Sequence, residues 1–284
     1  MTDRAPSRDS GGVVVGVDGA ADGLRAAEWA ARQCERHGLS LTVVHVREYQ
    51  PWPLPPGERE ALGAEADRIL DEGTSAARTA APEVTVHPVH ADGTAAEQLV
   101  ALASDAALLA VASRGRGGFG RLTLGSTGET VAGAAPVPAV LLRSGGERSG
   151  PVVVGIDEVV LDDGDSADDR GSAEPVLRFA FDHAAAGSGT LSAHHSIAVP
   201  PGVVPAAGAA EEDRLHRLLA PWRKEYAGVA VSVSVRVGSP AAHLVEMSDR
   251  AALLVLGRRG GPGLGRVAGQ VVRHASGAIA VIGG

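Results

Sequence analysis

The chain alternates between short apolar runs and longer segments in which apolar residues recur at helical spacing. Continuous apolar runs bounded by turn residues are typical of strands buried on both faces, and they predict strands at 13–17, 41–46, 84–89, 108–111 and 137–142. The segments between them predict helices at 22–37, 58–80, 94–104 and 126–134. Asp22 is expected to cap the first helix, and Gly38 to end it. Strands that alternate with helices predict a parallel sheet covered on both faces.

The same pattern then begins again. The run VVVGVD at 13–18 returns as VVVGID at 152–157, and AALLAVASRG at 106–115 returns as AALLVLGRRG at 251–260. This is a tandem duplication of one α/β unit. We therefore expect two domains, at 10–144 and 151–284, joined by the linker RSGGERSG at 143–150. Each is predicted to hold a five-stranded parallel sheet of strand order 3-2-1-4-5.

Composition narrows the range of partners. The 284 residues carry a net charge of −8, which argues against nucleic acid as the main partner. No apolar run approaches the length of a membrane span, so the cytoplasm is the expected location and no membrane contact is expected. Cys34 is the single cysteine, which excludes a disulfide within the chain, and its helical stripe predicts core packing.

The stretch ASRGRGGFGRLTLGST, at 112–127, is the strongest chemical signal. It follows one predicted strand and leads into a predicted helix. Strand, glycine-rich loop and helix together present backbone N–H groups to a phosphate, with the helix dipole behind them. Ser126 and Glu129 form the S-x-x-E pattern of a capping box, so Ser126 is expected both to cap the helix and to contact a phosphate.

Two better known phosphate motifs do not fit this stretch. A Walker A loop is excluded because no Gly-Lys-Ser/Thr sequence is present. A dinucleotide fingerprint is disfavoured because the loop follows a late strand and not the first one. A solvent-exposed loop rich in Gly and Arg, with no ligand, is the remaining alternative.

At this point the sequence resembles a tandem, actinobacterial-like universal stress protein over nearly the whole of both repeats. The family's ATP-binding motif is Gly, two residues, Gly, nine residues, Gly, then Ser or Thr. Here Ala112, Gly115, Gly125 and Ser126 match that spacing, with Ala112 in place of the first glycine. The opening Val15–Asp18 and the strand end His45-Val46 match as well. The resemblance implies Rossmann-like domains of the adenine nucleotide alpha hydrolase type, and ATP, with or without Mg²⁺, as the ligand.

By that similarity, Asp18 and Val46 would face the adenine and the ribose, with Gly16 beside them and Val17 counted in the same binding set. The methyl group of Ala112 would point at or near the ribose. The phosphate end would be formed by Gly115, Gly125, Ser126 and Thr127, with the run Arg114, Gly115, Arg116, Gly117 and Gly118 wrapping over it.

No other constellation predicts chemistry. No nucleophile with an adjacent base, no paired carboxylates and no metal cluster emerge, so no catalytic or metal residues are expected. The acidic segment 157–174 hints at a calcium loop, but its Gly is misplaced, and a solvated insertion is the better interpretation. The pair His194-His195 ends a strand of repeat 2. We match His194 to His45, which favours a strand-end role over metal binding.

Three functions remain open. The chain is expected to be an ATP-binding module of stress regulation with little or no turnover. The alternatives are a slow Mg²⁺-dependent ATPase that uses the same site and an interaction scaffold that binds no nucleotide. We expect the repeats to pack as an intramolecular pseudo-dimer through their last strands, at 137–142 and 278–282, as the family resemblance suggests. A homodimer and a protein partner of unknown identity stay open.

Repeat 2 is not expected to bind ATP in the family manner. Between its motif glycines, Gly260 and Gly265, only four residues remain where repeat 1 has nine. Pro262 lies among them and has no N–H to offer. Arg266 replaces Ser126, which removes the hydroxyl and brings a long side chain into the anion site. Equilibrium titration is therefore expected to give about one nucleotide per chain at most.

Overall fold

The computed structural model describes residues 11–48, 55–113, 124–143, 148–157, 170–197, 208–258 and 263–283, with the backbone alone at 170–172. The described residues form ten strands and eight helices. In repeat 1 these are β1 (Gly11–Gly16), α1 (Ala21–His37), β2 (Leu41–Arg47), α2 (Pro56–Ala80), β3 (Val86–Asp92), α3 (Ala95–Leu102), β4 (Ala106–Ala112), α4 (Ser126–Ala134) and β5 (Ala139–Leu142). In repeat 2 they are β6 (Val152–Ile156), α5 (Arg170–Ala186), β7 (Thr190–Ile197), α6 (Gly208–Glu225), β8 (Ala230–Val237), α7 (Pro240–Ser248), β9 (Leu253–Arg258), α8 (Arg266–His274) and β10 (Ile279–Gly283).

All ten strands belong to one sheet, in the order β3-β2-β1-β4-β5-β10-β9-β6-β7-β8. Each half of this order is 3-2-1-4-5 in the numbering of its own repeat, and all pairings within a half are parallel. The predicted α/β fold class and strand order are therefore confirmed. The two five-stranded sheets are halves of a single ten-stranded sheet, whereas the repeat pattern alone predicts two separate ones.

The two halves meet at an antiparallel seam between β5 and β10. Val140 pairs in register with Ala280, and both side chains are completely buried. The pairing of the last strands that the family resemblance implied is thus present. It removes two apolar edges that would otherwise expose unpaired backbone groups. The domain boundaries at 10–144 and 151–284 remain predictions.

Helices cover both faces of the sheet and build two apolar cores, each of which crosses the seam. One core lies under α1, α2, α5 and α6 and contains the fully buried Phe181, whose ring stacks on Trp222 at 5.5 Å between centroids. The other lies under α3, α4, α7 and α8. Cys34 packs in the first core as predicted, and burial raises the pKa of its thiol to about 11. Among the described residues, no helix combines the length and apolarity needed to cross a membrane.

The start of α1 corrects one prediction. Its N-cap residue is Ala20, and no side chain caps the helix, so Asp22 is not the cap. Asp22 lies in the first turn, where its carboxylate pairs with Arg25. The carboxylate that binds the backbone just before the helix belongs to Asp18, whose Oδ1 accepts a hydrogen bond from the Ala20 N–H at 3.1 Å. The predicted end is confirmed: Gly38 closes the helix in the left-handed region at φ 67°.

Candidate functional site

The carboxyl edge of repeat 1 brings the predicted strand-end residues together. β1 lies between β2 and β4, and Gly16 is in register with Val44 on one side and Val111 on the other. Asp18, just after β1, therefore lies at the same edge as Val46, near the end of β2, and Ala112, the last residue of β4. Ligands of such sheets bind outside the carboxyl ends of the strands, where the chain order reverses. This adjacency of the first and fourth strands is the condition on which the predicted site depends.

Asp18 is held in place by two features of the turn into α1. Its Oδ1 accepts from the Ala20 N–H, and the first turn of α1 passes directly beside it. A Cβ at Gly23 would stand 2.9 Å from that oxygen, so the glycine makes room for the carboxylate. Asp18 is half-buried, which leaves part of its surface at the edge. The fixed carboxylate presents hydrogen-bond acceptors where hydroxyl groups of a ligand could reach them.

Gly16 and Val17 fix the position of this edge relative to α3 and β2. A Cβ at Gly16 would lie 2.8 Å from Leu99 Cδ1, so α3 can approach β1 only over a glycine. The Val17 carbonyl accepts a hydrogen bond from His45 Nδ1 at 2.9 Å. His45 thereby fastens the end of β2 to the end of β1, a positioning role that the predicted binding set left out. The sequence offers one indication of this role, since His45 directly precedes Val46 of the predicted binding set.

The glycine-rich loop begins and ends at one point. The Gly125 N–H donates to the Ser113 carbonyl at 2.8 Å, and the Ser113 N–H donates to the Leu142 carbonyl at 2.8 Å. Ser113 is buried, and its hydroxyl has no partner among the described residues. The chain that leaves β4 therefore returns to the same edge before α4 begins. Arg114, Gly115, Arg116, Gly117 and Gly118, predicted to wrap over phosphates, lie outside the described residues.

The N-terminus of α4 differs from the prediction. Gly125 is the N-cap residue and Ser126 is the first helical residue, with no side-chain cap, so the capping box is wrong. Glu129 instead pairs with Arg273 of α8 at 3.1 Å, across the two repeats. The first-turn N–H groups of α4 thus have no side-chain cap. Ser126 is exposed and Thr127 is half-buried beside them, as a phosphate site requires.

A cavity of about 800 Å³ opens between α4 and α8 and includes Ser126 in its wall. Arg258, Arg266 and Arg273 line it opposite Glu129. Arg258 also donates to the Ala135 carbonyl of repeat 1 at 3.1 Å, so it links the two halves. The cavity continues from the N-terminus of α4 along the junction of the repeats, and its lining includes three arginines and one glutamate.

Repeat 2 departs from repeat 1 at the matching edge. Arg258 stands where repeat 1 has Ser113, and Arg266 is the first residue of α8. The match of His194 to His45 is wrong by one residue. His195 takes the place of His45, because its Nδ1 bonds the Ile156 carbonyl at 2.9 Å as His45 bonds that of Val17. Residues 158–169 of the acidic segment lie outside the described residues. In the described part of the chain, no three His, Cys, Asp or Glu side chains are grouped as a metal site.

These features define a tandem Rossmann-like α/β protein. The model of the universal stress protein family matches residues 12–143 and 162–283, and the chain belongs to that family. A universal stress protein of Mycobacterium tuberculosis is 31% identical over 280 residues, covering 92% of this chain and 91% of its own. One from Mycobacterium bovis is 30% identical, covering 95% of each. The solved structure of a universal stress protein from Archaeoglobus fulgidus has a TM-score of 0.72 at 16% identity, covering 96% of this chain and 98% of its own.

Proposed function

We propose that this universal stress protein binds ATP at the carboxyl edge of repeat 1 and acts as a regulatory module with little or no turnover. The observation that carries the proposal is the hydrogen bond between Gly125 and Ser113. It brings the glycine-rich loop back to the strand edge and places the N-terminus of α4, which lacks a side-chain cap, at that edge. Backbone N–H groups at such a terminus favour a phosphate.

The remaining contacts to ATP are assigned from where each residue lies at the carboxyl edge of repeat 1. Asp18 offers carboxylate oxygens for ribose hydroxyls, and Val46 offers a half-buried apolar surface for the adenine. Ala112 ends β4, on the other side of β1 from Val46, and its methyl group would meet the ribose side of the ligand. Ser126 and Thr127 supply hydroxyls at the phosphate end, with Gly115, Arg114, Arg116, Gly117 and Gly118 covering the chain of phosphates. Mg²⁺ would accompany the triphosphate, and the cytoplasm is the proposed location.

Asp18→Ala is expected to weaken ATP binding tenfold or more, about 1.4 kcal/mol, because the ribose loses a fixed acceptor. Gly115→Val is expected to do the same by obstructing the approach of the backbone to a phosphate. Isothermal titration of tag-free protein with ATP measures both. The chain offers a matched control in Asp157→Ala, since Asp157 follows β6 as Asp18 follows β1. That variant should bind ATP like the wild type.

The nucleotide that the protein binds, and what becomes of it, separate the alternatives. Mass spectrometry of nucleotide released from the purified protein should find adenine nucleotide at about one per chain at most. Accumulation of ADP during incubation with Mg²⁺ and ATP would instead identify a slow ATPase. Unchanged affinity in both the Asp18 and Gly115 variants, or a stoichiometry of two, would contradict the assignment to repeat 1, and a lack of any binding would favour the scaffold.

A further inference from the structure

A hydrogen-bonded cluster of two histidines and two serines lies at the carboxyl end of β7 in repeat 2. We call it the His194 cluster; its members are His194, Ser196, Ser234 and His243. His194 Nε2 is 2.9 Å from Ser196 Oγ, and His243 Nδ1 is 3.0 Å from the same oxygen. The two rings stand edge to face, 5.5 Å apart between centroids. Two imidazole nitrogens and a hydroxyl therefore converge on one small volume.

The cluster exists in repeat 2 alone, although both repeats share the same backbone plan. Strand register places His194 where repeat 1 has Val44, because each pairs with the glycine of its first strand. By the same count, Ser196 replaces Val46 and Ser234 replaces Val89. In the helix that follows, His243 takes the place of Gln98, five residues after the positive-φ glycine in each repeat. Repeat 2 thus exchanges three apolar positions for polar ones at the edge where repeat 1 is expected to hold adenine.

The nitrogens that converge are suited to ligate a metal. Burial, and next the neighbouring His243 and Arg236, lower the pKa of His194 to about 4, so its ring is neutral at physiological pH. Burial and Arg236 also lower the pKa of His243, while Glu246 opposes the shift for both rings. Neutral imidazole is the form that binds metal.

The surroundings orient both rings and leave an entrance. Ser234 Oγ lies 3.3 Å from His194 Nδ1, the position that an outer-sphere partner takes behind a metal-binding histidine. A Cβ at Gly238 would come within 3.2 Å of His243 Nε2, so this glycine leaves room for the ring. His194 is buried, whereas Ser196 and His243 are half-exposed. An ion could therefore enter from solvent on the side of His243 and Ser196.

The distances between the three donor atoms also suit a metal ion. Donor atoms about 2.1 Å from one ion stand roughly 3.0–3.4 Å from each other. The observed separations from Ser196 Oγ are 2.9 and 3.0 Å, so a small outward shift would admit an ion between the three atoms. Arg236 and Glu246 form an ion pair at 3.0 Å beside the cluster, which keeps the cationic side chain engaged.

We propose that His194 Nε2, His243 Nδ1 and Ser196 Oγ form a site for a divalent cation of the zinc class in repeat 2, with water completing its coordination. Imidazole ligands suit zinc, nickel and copper, whereas magnesium and calcium prefer oxygen. The site is separate from the proposed nucleotide site in repeat 1. It would give the second repeat a ligand of its own.

Titration of tag-free protein with Zn²⁺, in competition with a chromophoric chelator, tests the site. We expect one Zn²⁺ per chain and at least tenfold weaker binding by His243→Gln and by His194→Val. Both variants install the residue that repeat 1 carries at the same place, so both are expected to fold, which circular dichroism would verify. Co²⁺ added to the wild type should produce visible absorption bands of low coordination number, and these should be lost in both variants.

His216→Ala is the matched control, because His216 is exposed on α6, which packs on the opposite face of the sheet from the helix that carries His243. It should leave Zn²⁺ affinity unchanged. Equal Zn²⁺ affinity in the wild type and in both cluster variants, or no zinc uptake by the wild type, would overturn the proposal. ATP titration of His243→Gln distinguishes the two sites, since nucleotide binding in repeat 1 should be unaffected whether or not zinc binds.

Discussion

Val140→Asp is expected to lower the free energy of unfolding of the chain by several kcal/mol. Val140 lies at the centre of the ten-stranded sheet, completely buried and paired in register with Ala280 across the seam. A carboxylate there would have to be desolvated without a partner, or else be held protonated, at a cost of several kcal/mol. Native domains are stable by roughly 5–15 kcal/mol, so one such change consumes most of the margin. Urea unfolding followed by circular dichroism measures the loss.

The same substitution at the outer edge of the sheet is the matched control. Val237 ends β8, an edge strand, and its side chain is 47% exposed. Val237→Asp is expected to change the free energy of unfolding by less than about 0.5 kcal/mol, since a surface change of this kind disturbs no buried group. Similar urea midpoints for the two variants would show that the seam is not a buried part of the core.

The second large effect is a loss of stability in mild acid, caused by a histidine pair between the repeats. His37 ends α1 and His183 lies near the end of α5, with their ring centroids 5.3 Å apart. Phe179 stacks on His183 at 4.0 Å, and His183 Nδ1 donates to the Phe179 carbonyl at 3.0 Å. The Nε2 atoms of both histidines are buried without a partner among the described residues.

Burial, and next the neighbouring His37, lower the pKa of His183 to about 4, with Arg36 adding to the shift and the Phe179 carbonyl opposing it. Burial also lowers the pKa of His37, against the attraction of Asp182. Because the folded pKa lies below the ordinary 6.5, the unfolded chain binds more protons between these values. Stability is therefore complete above about pH 6.5 and falls as the pH drops toward 4. At pH 5 the loss from His183 is about 2 kcal/mol.

His183→Gln isolates this contribution. Counting back from the matched strand residues Leu41 and Leu191, repeat 1 carries Gln33 at the equivalent position, and Gln33 is buried there. Urea unfolding at pH 7 and at pH 5 gives the acid-induced loss for each protein. The loss should be about 2 kcal/mol smaller in the variant, whatever its stability at pH 7. An equal loss in the two proteins would show that His183 is not the group that titrates.

The fold could be predicted because the information is local and repeated. Apolar strands, helices of regular length and the return of VVVG in the second half predict the strand order within each half. The two sheets join through strands that contain residues 140 and 280, which are far apart in sequence. Their pairing was predicted from the apolar edges of the last strands together with the family resemblance. Helix ends were less predictable. The carboxylate of Glu129, assigned to a capping box, binds Arg273 on the other repeat.

The candidate nucleotide site could be predicted because its residues lie at strand ends. The His194 cluster could not, because its members come from separate strands and a helix. Asp18, Val46 and Ala112 lie at the carboxyl ends of neighbouring strands, which the alternation of strands and helices anticipates. The His194 cluster was missed because adjacent residues of a strand point to opposite faces. His194 and His195 are adjacent in sequence, but their rings lie on opposite faces of the sheet and cannot act together. The partner of His194 is His243, on a helix that begins after the next strand.

The seam between β5 and β10 joins segments of one polypeptide, so its formation is a unimolecular equilibrium. Separate copies of a single repeat would have to lose translational and rotational freedom to pair, and dilution would part them. Here the covalent connection between β5 and β6 holds the two strands at a fixed effective concentration. The pairing of the two halves within one molecule is consequently independent of protein concentration, and dilution to the nanomolar range does not part them.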